Sequence, residues 1–150
     1  MRNPFFIAQL LLRFSRGISF LLPVLDRTGY FGVAGSPNVI WGDWTSFVGY
    51  THLLMPYLTL DVAGYFGLAA TLLEILLAVM LISGYKTRYA ALGSFALTLI
   101  FAGSMMFFLH FRAPFNFSVF TVSFSSLLLA SFSKFPWSVD ACLNGPAKLN

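Results

Sequence analysis

Charged residues are scarce in this chain of 150 residues. Only 9% are charged, with nine Lys or Arg and five Asp or Glu, whereas an ordinary soluble domain carries roughly 25%. A water-soluble protein of this size would need a charged shell that these residues cannot supply. Because 58% are hydrophobic and 18% aromatic, disorder is excluded as well. The composition predicts a single domain, residues 1–150, embedded in membrane lipid.

Cysteine and basic clusters are also nearly absent. Cys142 is the only cysteine, which excludes an internal disulfide and a Cys-x-x-Cys thiol relay. The basic residues are scattered without a basic run, so we expect no nucleic-acid partner. Arg13 and Arg16 interrupt the first apolar stretch, and we therefore expect it to be a retained helix rather than a signal peptide.

Four apolar segments are long enough to cross a membrane, because a spanning helix needs about 20 residues. They are residues 5–25, 62–83, 89–109 and 113–133. Their continuous apolar character favours helices over a barrel, so the predicted fold class is an all-α, integral membrane four-helix bundle. With the N-terminus in the cytoplasm, five Lys or Arg lie inside and two outside, which predicts a multi-pass inner-membrane protein with cytoplasmic N- and C-termini. The two outer charges are Arg27 and Arg112.

The connection between the first two spans, residues 26–61, is too long for a simple turn. Asp43 is a suitable N-cap and Pro56 a suitable end for a short helix over residues 43–55, which we expect at the outer interface. The aromatic residues of the connection suit an anchoring belt in the headgroup layer, and a ligand pocket is the alternative. They include Trp41, Trp44, Tyr50 and Tyr57.

Three ionisable residues fall within the spans, where each costs about 2.5 to 3.5 kcal/mol on the insertion scale. They are Arg13, Arg16 and Glu74. Helical spacing places Gln9, Arg13, Arg16, Gly17 and Phe20 on one face of the first helix, and Gly67, Ala70, Thr71, Glu74 and Ala78 on one face of the second. We expect the two faces to meet at one depth, with Glu74 bonded to Arg13 or Arg16.

This charged set has two interpretations. An ion pair can be purely architectural and fix the helix register. Alternatively, two cations against one carboxylate leave a net positive site, which suits a quinone carbonyl or a proton-transfer step. Glu74, Arg13 and Arg16 are therefore the candidate catalytic residues.

The two histidines form a second candidate site. The predicted topology places His52 and His110 on the same outer side, where Tyr57 or Asp61 can hydrogen-bond to them near a ligand pocket. We expect neither metal nor haem, because the sequence has no His-x-x-x-His motif and no opposed histidines within the spans.

Three short motifs resemble those of the DoxX family of small four-helix membrane proteins. The first is Arg13-x-x-x-Gly17 within the first span. The second is Glu74 followed by Gly84-x-x-Thr87-Arg88-x-Ala90-Ala91, and the third is Ser138-x-Asp140-Ala141. They occur in the family's order and cover most of the chain.

The resemblance implies a function in redox chemistry. The DoxX family includes the DoxD-type subunit of thiosulfate:quinone oxidoreductase, so we expect a small inner-membrane subunit of a quinone-linked complex, with quinone as cofactor. Asp26-Arg27 departs from the Gly-x-x-Lys that many members have after the first helix. The alternative function is a non-catalytic accessory or scaffold subunit that binds a larger membrane complex.

Overall fold

The protein is described here by a computed structural model covering residues 4–143. All regular elements in this range are helical. They are α1 (Pro4–Asp26), α2 (Trp44–Leu54), α3 (Leu60–Ser83), α4 (Thr87–Ser104) continued by a π-helical turn (Met105–Leu109), α5 (Ala113–Asn116), α6 (Val119–Ser131) and α7 (Val139–Leu143).

Three of these helices are long and apolar enough to cross a membrane: α1, α3 and α4 with its π-helical turn. Their outward faces carry large apolar side chains, such as Leu11, Leu72 and Ile100. An apolar surface of this kind is favourable in lipid and unfavourable in water. The all-helical fold and the character of a membrane protein agree with the sequence prediction.

The fourth expected span is not one helix. Ser118 has a left-handed backbone, with φ of 54°, and it separates α5 from α6. The 13 residues of α6 reach about 20 Å, which is short of the roughly 30 Å hydrocarbon core. This segment returns along α4, where Ser123 Oγ lies 2.9 Å from Thr98 Oγ1. Thus three long helices and one broken segment replace the four unbroken spans that we expected.

The helix faces predicted from spacing are confirmed, and α1 packs on α3. Gln9, Arg13, Arg16, Gly17 and Phe20 are all buried, as are Gly67, Thr71, Glu74 and Ala78 on α3, whereas the fifth predicted residue of that face, Ala70, is half-buried.

Gly17 sets the register between these two helices. A Cβ atom on Gly17 would lie 2.5 Å from Ile82 Cγ1 and 3.2 Å from the Ala78 carbonyl oxygen. The backbones approach so closely only because glycine has no side chain. This register aligns Gly17 with the last two turns of α3, so the first half of α3 extends beyond the end of α1.

Helix α2 covers that first half of α3. A Cβ on Gly67 would lie 3.0 Å from Phe47 Cε1, so α2 packs directly on this part of α3. Asp43 caps α2 by accepting a hydrogen bond of 2.7 Å from the Ser46 amide, and the helix ends at Leu54, before Pro56. The predicted short helix is confirmed with its caps.

Buried apolar residues form two clusters at different heights in the bundle. The larger lies toward the α3–α4 turn and contains Phe20, Leu77, Ala78, Leu81, Ala90, Ala91, Leu97, Leu129 and Ala130. The smaller, at the opposite end, contains Leu54, Met105 and Ala113. The space between the two clusters is only partly filled by side chains.

The close approach at Gly17 generates a testable prediction. Gly17→Ala should lower the free energy of unfolding by about 1–3 kcal/mol, because the new methyl group overpacks against Ile82 and Ala78. Gly103→Ala is the matched control, since a Cβ there meets no atom within 4 Å and alanine favours the helix. The free energy of unfolding of both variants is measured in mixed detergent micelles, with circular dichroism as the signal. Equal stability of the two alanine variants would contradict the packing described here.

Candidate functional site

A cavity of about 620 Å³ lies between the two clusters. Most of its lining is aliphatic or aromatic and comes from α1, α2, α3, α4, α6 and the connection after α1. The charged lining residues are Arg16, Arg27 and Glu74. Apolar walls with a few polar groups at fixed positions are typical of small-molecule sites.

The lining of the cavity reaches the surface of the protein, through α3 and α4 on one side and through Ile40 and Phe117, 68% and 65% exposed, elsewhere. Phe66, Leu73 and Ile100 line it and are also 52%, 39% and 64% exposed. These three residues belong to the outer apolar faces of α3 and α4, which are favourable in lipid. A molecule dissolved in a bilayer can therefore reach the cavity without crossing water.

Glu74 is paired with Arg27. Arg27 Nη1 lies 2.9 Å from Glu74 Oε2, with both side chains buried, which is the distance of an ion pair. The same Nη1 donates to Thr71 Oγ1 at 2.6 Å, and Nε donates to the Pro23 carbonyl at 3.1 Å. The guanidinium carbon also lies 3.8 Å from the centre of the Phe47 ring.

The sequence predicted that Glu74 pairs with Arg13 or Arg16, and this prediction was wrong. The prediction that Arg13, Arg16 and Glu74 lie at one depth was also wrong. The register at Gly17 places Arg13 Nη1 beside Gly84, which is ten residues, or about 15 Å, from Glu74 along α3. Helical side chains lean toward their own N-terminus. Arg13 and Arg16 consequently lean away from Glu74, whereas Arg27, expected outside the bundle, leans back toward it.

Asp26 positions the connection around this ion pair. Its carboxylate accepts hydrogen bonds from the Ile40 amide at 3.3 Å and the Trp41 amide at 2.8 Å. Trp41 is thereby held with its ring centre 5.2 Å from the Arg27 guanidinium carbon. The sequence analysis predicted Arg27 as an outer charge and Asp26-Arg27 as a departure from the DoxX pattern. Arg27 instead lines the cavity, and Asp26 holds the Ile40 and Trp41 backbone beside it.

Arg16 is the unpartnered cation of the cavity. It is 3% exposed, and neither Nε nor Nη2 has a hydrogen-bond partner among the described residues. Its guanidinium carbon lies 4.8 Å from the centre of the Phe20 ring, which compensates the charge only in part. The sequence predicted a net positive site made of Arg13, Arg16 and Glu74, whereas the charged residues that line the cavity are Arg16, Arg27 and Glu74.

Arg13 does not line the cavity. Its Nη2 donates to the Trp137 carbonyl at 2.8 Å, close to α7. The Asp140 carboxylate accepts from the Lys86 amide at 2.7 Å and the Thr87 amide at 2.9 Å. This junction joins α1, the α3–α4 turn and α7, so Arg13 connects helices outside the cavity, and its catalytic role stays a prediction.

The three motifs that resemble the DoxX family meet largely at this junction. Arg13 and Ser138 approach Gly84, where a larger residue would not fit, and the Asp140 amide donates to the Gly84 carbonyl at 3.0 Å. Most of the motif residues thus connect helices. Glu74 is the motif residue that reaches the cavity.

The four residues of the second candidate site lie at the opposite end of the bundle. His52 Nε2 is 3.0 Å from the Leu58 carbonyl, and the exposed Tyr57 ring lies 5.5 Å from that of Phe108. His110 and Asp61 are exposed. None of the four lines the cavity, and Asp61 borders a separate, shallow groove.

The aromatic residues of the connection divide between the two expected roles. Trp41 and Tyr50 line the cavity, and burial raises the pKa of Tyr50. Trp44 and Tyr57 are exposed, at 38% and 68%, as in an anchoring belt. Within residues 4–143, no three His, Cys, Asp or Glu side chains are grouped so that they could hold a metal ion.

Comparison of this chain with family models, with curated proteins and with solved structures finds no match. The resemblance to the DoxX family therefore depends on the three motifs alone.

The ion pair generates a prediction that distinguishes Arg27 from the other arginines. Glu74→Ala should destabilise the protein by about 3–5 kcal/mol, because it leaves Arg27 buried without a counter-charge. In double-mutant cycles built with Glu74→Gln, Arg27→Met should show a coupling free energy above about 0.5 kcal/mol, whereas Arg13→Met should be additive with it. For each cycle, the free energy of unfolding in mixed micelles is measured for the parent, the two single variants and the double variant. Coupling to Arg13 without coupling to Arg27 would contradict the structure.

Proposed function

We propose that this protein is a small subunit of a quinone-linked redox complex of the inner membrane, and that a quinone head group occupies the cavity. The observation that carries the proposal is a laterally open, mostly apolar cavity that contains the unpartnered Arg16. A quinone combines a flat apolar ring, two carbonyl acceptors and a hydrocarbon tail. The ring suits the apolar walls, a carbonyl can accept from Arg16, and the tail can leave between α3 and α4.

The charged residues can take different parts in this chemistry. Arg16 supplies N–H donors for a charge-assisted hydrogen bond, which is stronger than a neutral one. Glu74 supplies a carboxyl group on the cavity wall that can relay a proton to a quinone oxygen when electrons from the donor of the complex reduce the quinone. Arg27 positions Glu74 through the ion pair. Among the residues proposed from the sequence, Glu74 and Arg16 remain candidates for catalysis.

The proposed topology has four crossings, with α5 and α6 together forming the fourth. The contact between Arg13 and the Trp137 carbonyl brings the N-terminal part of α1 and the approach to α7 to the same end of the bundle. Lys86 and Arg88 lie in the adjoining α3–α4 turn. This concentration of positive charge supports a cytoplasmic location for that end and for both termini, and membership of the DoxX family is part of the same proposal.

Quinone binding tests the proposal directly. Trp41 lines the cavity, so a bound quinone should quench its fluorescence in a protein whose other tryptophans are replaced by Trp44→Phe and Trp137→Phe. Arg16→Gln should weaken binding by about tenfold or more, because it removes a charge-assisted hydrogen bond worth about 1.5–3 kcal/mol. Arg112→Gln, an exposed control, should leave the affinity unchanged.

Glu74→Gln separates catalysis from support of the complex. In the proposed subunit it should retain quinone binding while quinone reduction by the assembled complex falls. If the parent protein binds no quinone and copurifies with a larger partner that holds all the activity, the accessory function is correct and the quinone proposal is not.

A further inference from the structure

We infer that the cavity selects ligands whose polar head carries a negative charge. The inference builds on the quinone site proposed above, but it concerns the charge of the ligand rather than its identity. Its basis is the balance of charges on the cavity wall, where one cation has no counter-charge within the described residues.

The described residues that line the cavity carry two positive charges and one negative charge. Arg27 and Glu74 form an ion pair at 2.9 Å and together are neutral. Glu74 is the only acidic residue among the described residues that line the cavity, and the Asp26 carboxylate lies behind Arg27, where it accepts from the Ile40 and Trp41 amides. Among the described residues, Arg16 therefore has no carboxylate partner. Because a guanidinium does not deprotonate in proteins, Arg16 cannot relieve the imbalance by losing a proton.

A buried cation of this kind favours an anionic partner over a neutral one. Arg16 is almost fully buried, and within residues 4–143 its Nε and Nη2 make no hydrogen bond. The Phe20 ring meets part of the cost of its desolvation. A neutral carbonyl would satisfy one or two donors and leave the charge unbalanced. An anionic oxygen would satisfy the donors and neutralise the charge in a medium of low dielectric constant.

Shape and access limit the rest of the ligand. The cavity of about 620 Å³ is of ordinary size for a small-molecule site, and its apolar lining and lateral opening require a largely apolar body. The shared chemistry is therefore an anionic oxygen on a lipid-soluble body. A hydroxyquinone with an ionised ring hydroxyl has this chemistry, and so does a fatty acid.

Two matched pairs of ligands test the inference on the full chain in nanodiscs of zwitterionic lipid. The first pair is an alkylated hydroxynaphthoquinone and its methyl ether, compared at a pH above the pKa of the ring hydroxyl. The second pair is palmitate and methyl palmitate. Quinone binding is read from quenching of Trp41, and fatty-acid binding from displacement of the quinone or from native mass spectrometry. The anionic member of each pair should bind about tenfold more tightly or better.

Variants at Arg16 identify the source of the preference. Arg16→Gln should abolish the difference within each pair, Arg16→Lys should restore part of it, and Arg112→Gln should leave it unchanged. Arg16→Lys also serves if Arg16→Gln fails to fold, because it keeps the charge and removes only the planar donor geometry.

The outcomes separate this inference from the proposed function. If both naphthoquinones bind equally well, the charge inference is wrong and the quinone site stands. If palmitate binds better than its ester and neither quinone binds, the charge inference stands and the quinone proposal fails. If no ligand binds, both are wrong.

Discussion

The buried ion pair between Arg27 and Glu74 is the interaction on which the rest of the interior depends. It joins the end of α1 to the middle of α3, and the ring of Phe47 lies against the same guanidinium, which connects α2. A buried pair adds little stability compared with an apolar replacement, but removing one partner is costly. We therefore regard the pair as the element that specifies how α1, α2 and α3 enclose a cavity instead of collapsing on one another.

The cavity contains two arginines in contrasting states. Arg27 has a carboxylate, a hydroxyl, a carbonyl and two aromatic rings around it, whereas Arg16 has the Phe20 ring. A membrane interior makes an unneutralised cation expensive, and such residues commonly mark a functional site. The partnered arginine accounts for the architecture, and the unpartnered one supports the proposed ligand site.

Sequence periodicity predicted five buried residues of α1, because residues three and four apart share one face of a helix whichever element that face contacts. Periodicity could not predict which arginine pairs with Glu74. The pairing depends on the helix register that Gly17 sets against Ala78 and Ile82, and on the direction in which Arg27 leans. The break at Ser118 was also missed, because its left-handed backbone follows from local packing and serine gives little sign of it.

Photolabelling with an azidoquinone tests the central claim, that a lipid-soluble ligand enters the bundle between α3 and α4. After illumination in nanodiscs, mass spectrometry of the digested protein locates the adducts. The account predicts labelling at the cavity mouth, near Phe66, Leu73 and Ile100, that an excess of unlabelled quinone suppresses. Labelling spread over outer residues such as Tyr89 and Phe107, with no suppression by competitor, would contradict it.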